Sequence, residues 1–324
     1  MFQRQAGLVA LNEFERAVEY IEERSGEGVE QYQSADGQYY QLPWKANPVM
    51  IFYNRAMFEE AGLDPDDPPL ATYDEFLDTA RALVESGVAE AAIWPSPESQ
   101  FFQSWFDFYP LFAAATGGQQ LVEDGQAQFA GEEGIAVGQL WRTIYDEGLA
   151  GREAAPGDAF ADGQSAMAIV GPWAIAVYDD VDWGAVPVPT PEGMPPEEVY
   201  TFSDAKSIGL YSSCENRTTA WEFLQFSTSE ENDGLLLEET GQMPMRTDLP
   251  GTYPDYFEAN PTYEQFADQA ARMVEVPNVE GSIEMWQTFR DMWSRAVIFG
   301  EEDVETAFQQ AAEEINGIIG GGTP

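Results

Sequence analysis

Segments with an apolar residue every three to four positions alternate with short apolar runs from one end of this chain to the other. That alternation restricts the fold to the α/β class, because a sandwich would show strands alone and a bundle helices alone. Phe14, Ala17, Val18 and Ile21 share one helical face, with Asn12 read as the N-cap. Residues 39–44 and 49–53 read as strands. Thr72-Tyr73-Asp74-Glu75 has the spacing of a capping box, opening a helix that turns Phe76, Ala80, Leu83 and Val84 inward and ends at Gly87. A short strand at 91–94 follows, then a helix from about Ser99 to Gly117-Gly118 and another over 132–147.

Residues 166–170 and 183–188 read as buried strands, and the proline-rich run 189–200 reads as neither helix nor central strand. A strand at 207–211, helices over 220–226 and 232–239 with Gly241 as the stop, and helices over 282–299 and 303–319 complete the pattern. Leu235, Leu236 and Leu237 read as core, and Gly320-Gly321-Gly322-Thr323-Pro324 as a frayed tail.

At 324 residues a two-domain organisation is expected, and 44% apolar with 13% aromatic residues supplies a large core. The chain has 58 Asp and Glu against 14 Lys and Arg, a formal charge of −44. Such a chain repels phosphate backbones and anionic lipid, so nucleic acid is not expected as a partner. An acidic surface almost without lysine fits concentrated salt, where self-repulsion is screened within a few Å, and the chain is read as halophilic. With no histidine and one cysteine, Cys214, the sequence excludes Ser-His-Asp and Cys-His nucleophile systems, His-ligated zinc and an internal disulfide. Gly117-Gly118 and Gly320-Gly321-Gly322 lack the fingerprint of a phosphate loop, so no cofactor is expected.

Four motifs in order carry a family resemblance. Leu42-Pro43-Trp44-Lys45-Ala46-Asn47-Pro48 is followed by Ile51-Phe52-Tyr53-Asn54-Arg55, Phe58-Glu59-Glu60-Ala61-Gly62-Leu63 and Tyr73-Asp74-Glu75-Phe76. Phe160-Ala161-Asp162-Gly163 with Ala166-Met167, Ile169 and Gly171-Pro172-Trp173 is the second motif. Ala220-Trp221-Glu222-Phe223-Leu224 with Thr240-Gly241 and Pro244 is the third, and Pro277-Asn278 with Trp286 the fourth. Together these resemble the extracellular solute-binding proteins of sugar ABC importers, the maltose-binding-protein-like class, over nearly the whole chain.

The resemblance implies a periplasmic-binding-protein-like type II fold, two α/β lobes about a ligand cleft. It implies a first lobe of 1–43 plus 206–257 and a second of 44–205 plus 258–324, with crossover strands near 39–44, 206–210 and 255–262. Family chains carry a secretion signal and opening βα units ahead of the segment matching residue 1, so an N-terminally truncated chain with an incomplete first lobe is expected. The resemblance further implies a sugar or oligosaccharide ligand, permease subunits as partners, a monomer, no enzymatic activity, and a place on the extracellular face of the membrane, lipid-anchored in the full-length protein.

Position by position, Trp173 and Trp286 match aromatics that stack on the sugar, and Arg290 matches a polar cleft position. Trp44 and Asn47 follow the first crossover, and Trp105 and Gln103, early in the helix from Ser99, are carried over from a stretch one or two residues out of step. Asp204 precedes the second crossover. A pyranose presents an apolar C–H face and a rim of hydroxyls, which indoles with Asn, Asp and Arg at the edge accommodate.

Other readings stay open for each. Any one of the nine tryptophans is also a core candidate. Asn47 before Pro48 also reads as a turn residue, Arg290 as an ion-pair partner and Asp204 as part of the solvated face. Lys45 and Lys206, the only lysines, flank the crossovers and either neutralise crowded carboxylates or stand there by chance. The alternative function is a glycosidase-like enzyme with paired carboxylates, although 58 acids produce such pairs at any spacing.

Overall fold

A computed structural model describes residues 7–26, 28–34, 36–95 and 103–320. The chain divides into two compact units, residues 1–48 with 203–271 and residues 49–202 with 272–324.

The first unit is built around the strand Leu42–Lys45, which pairs antiparallel with Lys206–Ile208. On the other side the same stretch meets 243–245, where Met245 N donates to Trp44 O at 2.8 Å and Ala46 N to Met243 O at 2.9 Å. This pairing places Trp44 and Lys45 in the first unit. Helices Ala17–Ser25, Arg217–Ser227 and Glu230–Thr240 surround the strands. Ala17 and Ile21 are buried as their spacing predicts, and Phe14 stacks on Trp221 at 5.4 Å.

Three expectations for this unit are corrected. Asn12 does not cap the first helix: its Oδ1 accepts from Tyr39 N at 2.7 Å, and left-handed Arg16 stands at the cap position without a capping bond. No crossover strand forms at 255–262. Pro254 and Pro261 each occupy the opening position of a helical turn, Pro254–Ala259 and Pro261–Tyr263, where a missing N–H costs nothing. Of the three leucines only Leu237 is fully buried, whereas Leu235 is 49% exposed.

A buried ion network stands among the buried apolar residues here, which include Leu11, Tyr39, Leu42, Leu237 and Phe266. Asp233, wholly buried, accepts from Arg24 Nη2 at 2.9 Å, Arg24 Nε at 3.0 Å and Arg246 Nε at 3.0 Å. Arg24, 3% exposed, also donates to the carbonyls of Pro43 at 2.6 Å, Met245 at 2.8 Å, Trp44 at 3.1 Å and Thr228 at 3.1 Å. One guanidinium thus ties together carbonyls from three chain segments, around 43–44, 228 and 245.

The second unit carries a four-stranded mixed sheet in the order Ala91–Ile93, Ser165–Val170, Met50–Asn54, Trp183–Val186. The run from Val49 to Tyr53 is buried on both faces, which is why it is continuously apolar. Ile51 and Tyr53 join the main core, and Phe52 packs on Tyr178 and Trp183.

The capping box forms as read: Thr72 Oγ1 accepts from Glu75 N, and Glu75 Oε2 from Thr72 N, both at 3.0 Å, opening Tyr73–Glu85. Helices Gln103–Thr116, Glu132–Asp146, Ser282–Trp293 and Val304–Ile319 complete the unit. The expected start near Ser99 and the tail from 321 lie outside the described residues. The helix expected over 282–299 instead relaxes to a π-turn at Ser294–Ile298. Trp105, Phe108, Tyr109 and Phe112 form the i, i+3, i+4, i+7 stripe of Gln103–Thr116, which meets Phe289, Trp293 and Phe308 in one aromatic cluster. A contiguous cluster of buried apolar residues lies entirely within this unit.

Candidate functional site

The candidate residues divide between the units, Trp44, Asn47 and Asp204 in the first and Gln103, Trp105, Trp173, Trp286 and Arg290 in the second.

In the second unit, strand Ser165–Val170 ends at Gly171 and the chain turns through Pro172–Ala174, delivering a half-buried Trp173. A Cβ on Gly171 would collide with that indole, so glycine is what lets the ring lie over the backbone. Phe106 meets Trp173 edge to face at 6.1 Å between ring centres. Trp286, also half-buried, projects from the first turns of Ser282–Trp293 and packs on Trp105 at 5.3 Å. Both tryptophans therefore rest on neighbouring residues of one helix, Phe106 and Trp105, with part of each indole open to solvent.

Trp105 itself is a core residue, 2% exposed and stacked on Phe289 at 4.9 Å. It supports Trp286 and offers no free face. The aromatic that sequence reasoning passed over is Phe106. Its signal was the helical stripe: with Trp105, Phe108, Tyr109 and Phe112 turned inward, Phe106 lies off the buried face. The Gln103 side chain lies outside the described residues. Arg290 donates to Asp291 Oδ1 from Nε at 2.8 Å and from Nη2 at 2.6 Å, the ion-pair role left open by the sequence.

In the first unit, Asn47 is buried and joins two chain segments. Its Nδ2 donates to Asp204 O at 2.7 Å, its N–H to Ser203 Oγ at 3.2 Å, and its carbonyl accepts from Asp204 N at 3.1 Å. The Oδ1 atom of Asn47 is buried without a hydrogen-bond partner. The Asp204 carboxylate pairs with Lys206 Nζ at 2.5 Å. Burial pushes the Asp204 carboxyl up against the pull of Lys206 and Lys45. Lys45 Nζ lies 5.0 Å from the centre of the Trp44 ring and donates to Gln242 Oε1. Both ammoniums thus stand near the Asp204 carboxylate.

Among the described residues no cluster of acids or cysteine could hold a metal ion, and no helix is long and apolar enough to cross a membrane. The second unit thus sets two indoles against aromatic neighbours, and the first sets an ammonium over the Trp44 indole and joins Asn47, Asp204 and Lys206 by hydrogen bonds.

The chain is 22% identical over 303 residues to the maltooligosaccharide ABC transporter solute-binding lipoprotein of Streptococcus pneumoniae, covering 88% of this chain and 67% of the relative. It is 24% identical over 309 residues to the sn-glycerol-3-phosphate-binding periplasmic protein UgpB of Rhizobium meliloti, covering 89% and 70%. The chain thus spans about two-thirds of the length of such relatives. The crystal structure of the cyclic α-maltosyl-1,6-maltose binding protein from Arthrobacter globiformis superposes with a TM-score of 0.81 at 22% identity, covering 97% of this chain and 80% of that one. The likeness establishes the expected two-lobe α/β fold of periplasmic sugar-binding proteins. The profile of bacterial extracellular solute-binding proteins matches residues 3–265. The chain belongs to that family.

Proposed function

We propose that the chain captures a sugar or oligosaccharide outside the cell and delivers it, as a monomer and without covalent chemistry, to the membrane subunits of an ABC importer. The observation that carries this reading is the pair of half-open indoles, Trp173 and Trp286, seated on adjacent residues of one helix. Flat rings spaced along an apolar bed match successive pyranose faces, and the sugar names of several relatives point the same way. Trp44 and Asn47 supply a further indole and a hydroxyl acceptor in the first unit. The chain's family and relatives are binding proteins, which favours capture over the glycosidase alternative.

Isothermal titration in molar salt with a panel of mono- and oligosaccharides tests this. Heat of binding from at least one sugar, with no release of reducing ends from glycosides, is expected; silence across the panel, or turnover, would overturn it. The acidic shell is proposed to suit concentrated salt, so dialysis to low salt should abolish the far-UV circular dichroism of the fold. An unchanged spectrum would contradict that part.

A further inference from the structure

The chain keeps only two lysines among 14 basic and 58 acidic residues, and both stand at one place in the first unit. Lys45 and Lys206 are register partners across the pairing of Leu42–Lys45 with Lys206–Ile208. Lys206 Nζ contacts the Asp204 carboxylate and donates to the Asp204 carbonyl at 3.3 Å. Lys45 Nζ lies over the Trp44 indole. Two ammoniums against one carboxylate leave a local positive charge in a chain of net charge −44. Burial, reinforced by Lys206, holds the Lys45 ammonium below the usual lysine range, so Asp204 does not offset what its neighbours cost. Beside them Asn47, 4% exposed, keeps its Oδ1 buried and unpartnered, an acceptor suited to a ligand hydroxyl.

We infer that this patch selects a saccharide bearing an anionic group, with the sugar at Trp44, a hydroxyl donated to Asn47 Oδ1 and the anion held by Lys45 and Lys206. The inference rests on the saccharide reading above and adds the ligand's charge. A neutral sugar makes no use of paired ammoniums, whereas an anion forms charge-assisted hydrogen bonds with both. In concentrated salt the repulsion from distant carboxylates is screened, so these short contacts decide affinity.

The test is titration in molar KCl of three matched probes in the gluco and galacto series: the neutral hexose, its uronate and its 6-phosphate. At least one anionic probe should bind about tenfold or more tighter than its neutral parent, and comparing uronate with phosphate identifies which anion is read. Exposed Lys206→Gln should bring the anionic-to-neutral ratio to about one, Lys206→Arg should retain most of it, and Lys45→Gln is a second check. Equal affinities for neutral and anionic probes, or a ratio unmoved by Lys206→Gln and Lys45→Gln, would overturn the inference and leave saccharide capture standing. Binding of no sugar at all would overturn both.

Discussion

The two units hold their interiors by different means. The second gathers Trp105, Trp141, Trp293, Phe108, Phe129, Phe289 and Phe308 into one apolar cluster. The first also buries apolar residues, among them Leu11, Tyr39, Leu42 and Leu237, but adds a charged centre of Arg24, Asp233 and Arg246, with guanidinium bonds to the backbone carbonyls of 43, 44, 228 and 245. Loss of buried apolar area is graded, since a smaller side chain keeps part of the contact while neighbours relax only partly around the cavity. Damage to a buried ion network is not, because deleting one charge leaves its partners desolvated and uncompensated.

The sharpest way to break that contrast is to cut each interior at its centre. Asp233→Ala strands two guanidiniums and should cost the first unit about 3–5 kcal/mol, measured by denaturant unfolding in molar salt. The apolar double replacement Arg24→Met with Asp233→Leu should cost less than Asp233→Ala alone, because the fully buried guanidinium is gone and only the partly exposed Arg246 loses its carboxylate. A double variant as damaged as the single one would show that the carbonyl contacts of Arg24, not charge pairing, hold this unit. In the second unit Trp293→Ala should cost a similar ~3–5 kcal/mol, and there a partial refill such as Trp293→Phe should recover part of the loss.

Effects at helix ends should be smaller. Thr72→Ala removes one arm of the capping box and should cost about 1 kcal/mol, read from the unfolding midpoint at constant m-value. Smaller still is the pH response at Asp303, whose Oδ1 accepts from Thr306 N and Oγ1 at 3.0 and 2.9 Å. Those bonds hold its carboxyl below the usual range, so its contribution is present above the unfolded value and is lost as pH falls through the lower folded value. Asp303→Asn should flatten that acid limb below about pH 4 without changing neutral stability much. Asp233 and Asp204 behave oppositely. Burial raises their folded values, so their contribution is greatest below the usual carboxylate range and is lost as pH rises through those values.

The same contrast explains what the sequence disclosed. Apolar periodicity is written locally, so Thr72-Tyr73-Asp74-Glu75, the stripe of Gln103–Thr116 and the doubly buried strand Met50–Asn54 were legible. Arg24 and Asp233 were not, since they lie 209 positions apart and each looks like one more surface charge until the fold brings them together. Asn12 was misread for a related reason: its oxygen found the Tyr39 amide, a tertiary partner, instead of its own helix. At the candidate site, motif position drew attention to Trp105, the loudest residue, while the helical phase assigns it to the core and leaves Phe106 beside Trp173. The two lysines were conspicuous by rarity and by their places beside the crossovers, and the strand register shows them to be partners.

The central claim is that Trp173 and Trp286 form a saccharide platform, and it is tested most directly by titrating the best-bound sugar of the panel against Trp173→Ala and Trp286→Ala. The account predicts that each weakens binding by about tenfold or more, with near-native unfolding midpoints because both rings are only half-buried. Unchanged affinity in both variants, with the fold intact, would contradict it.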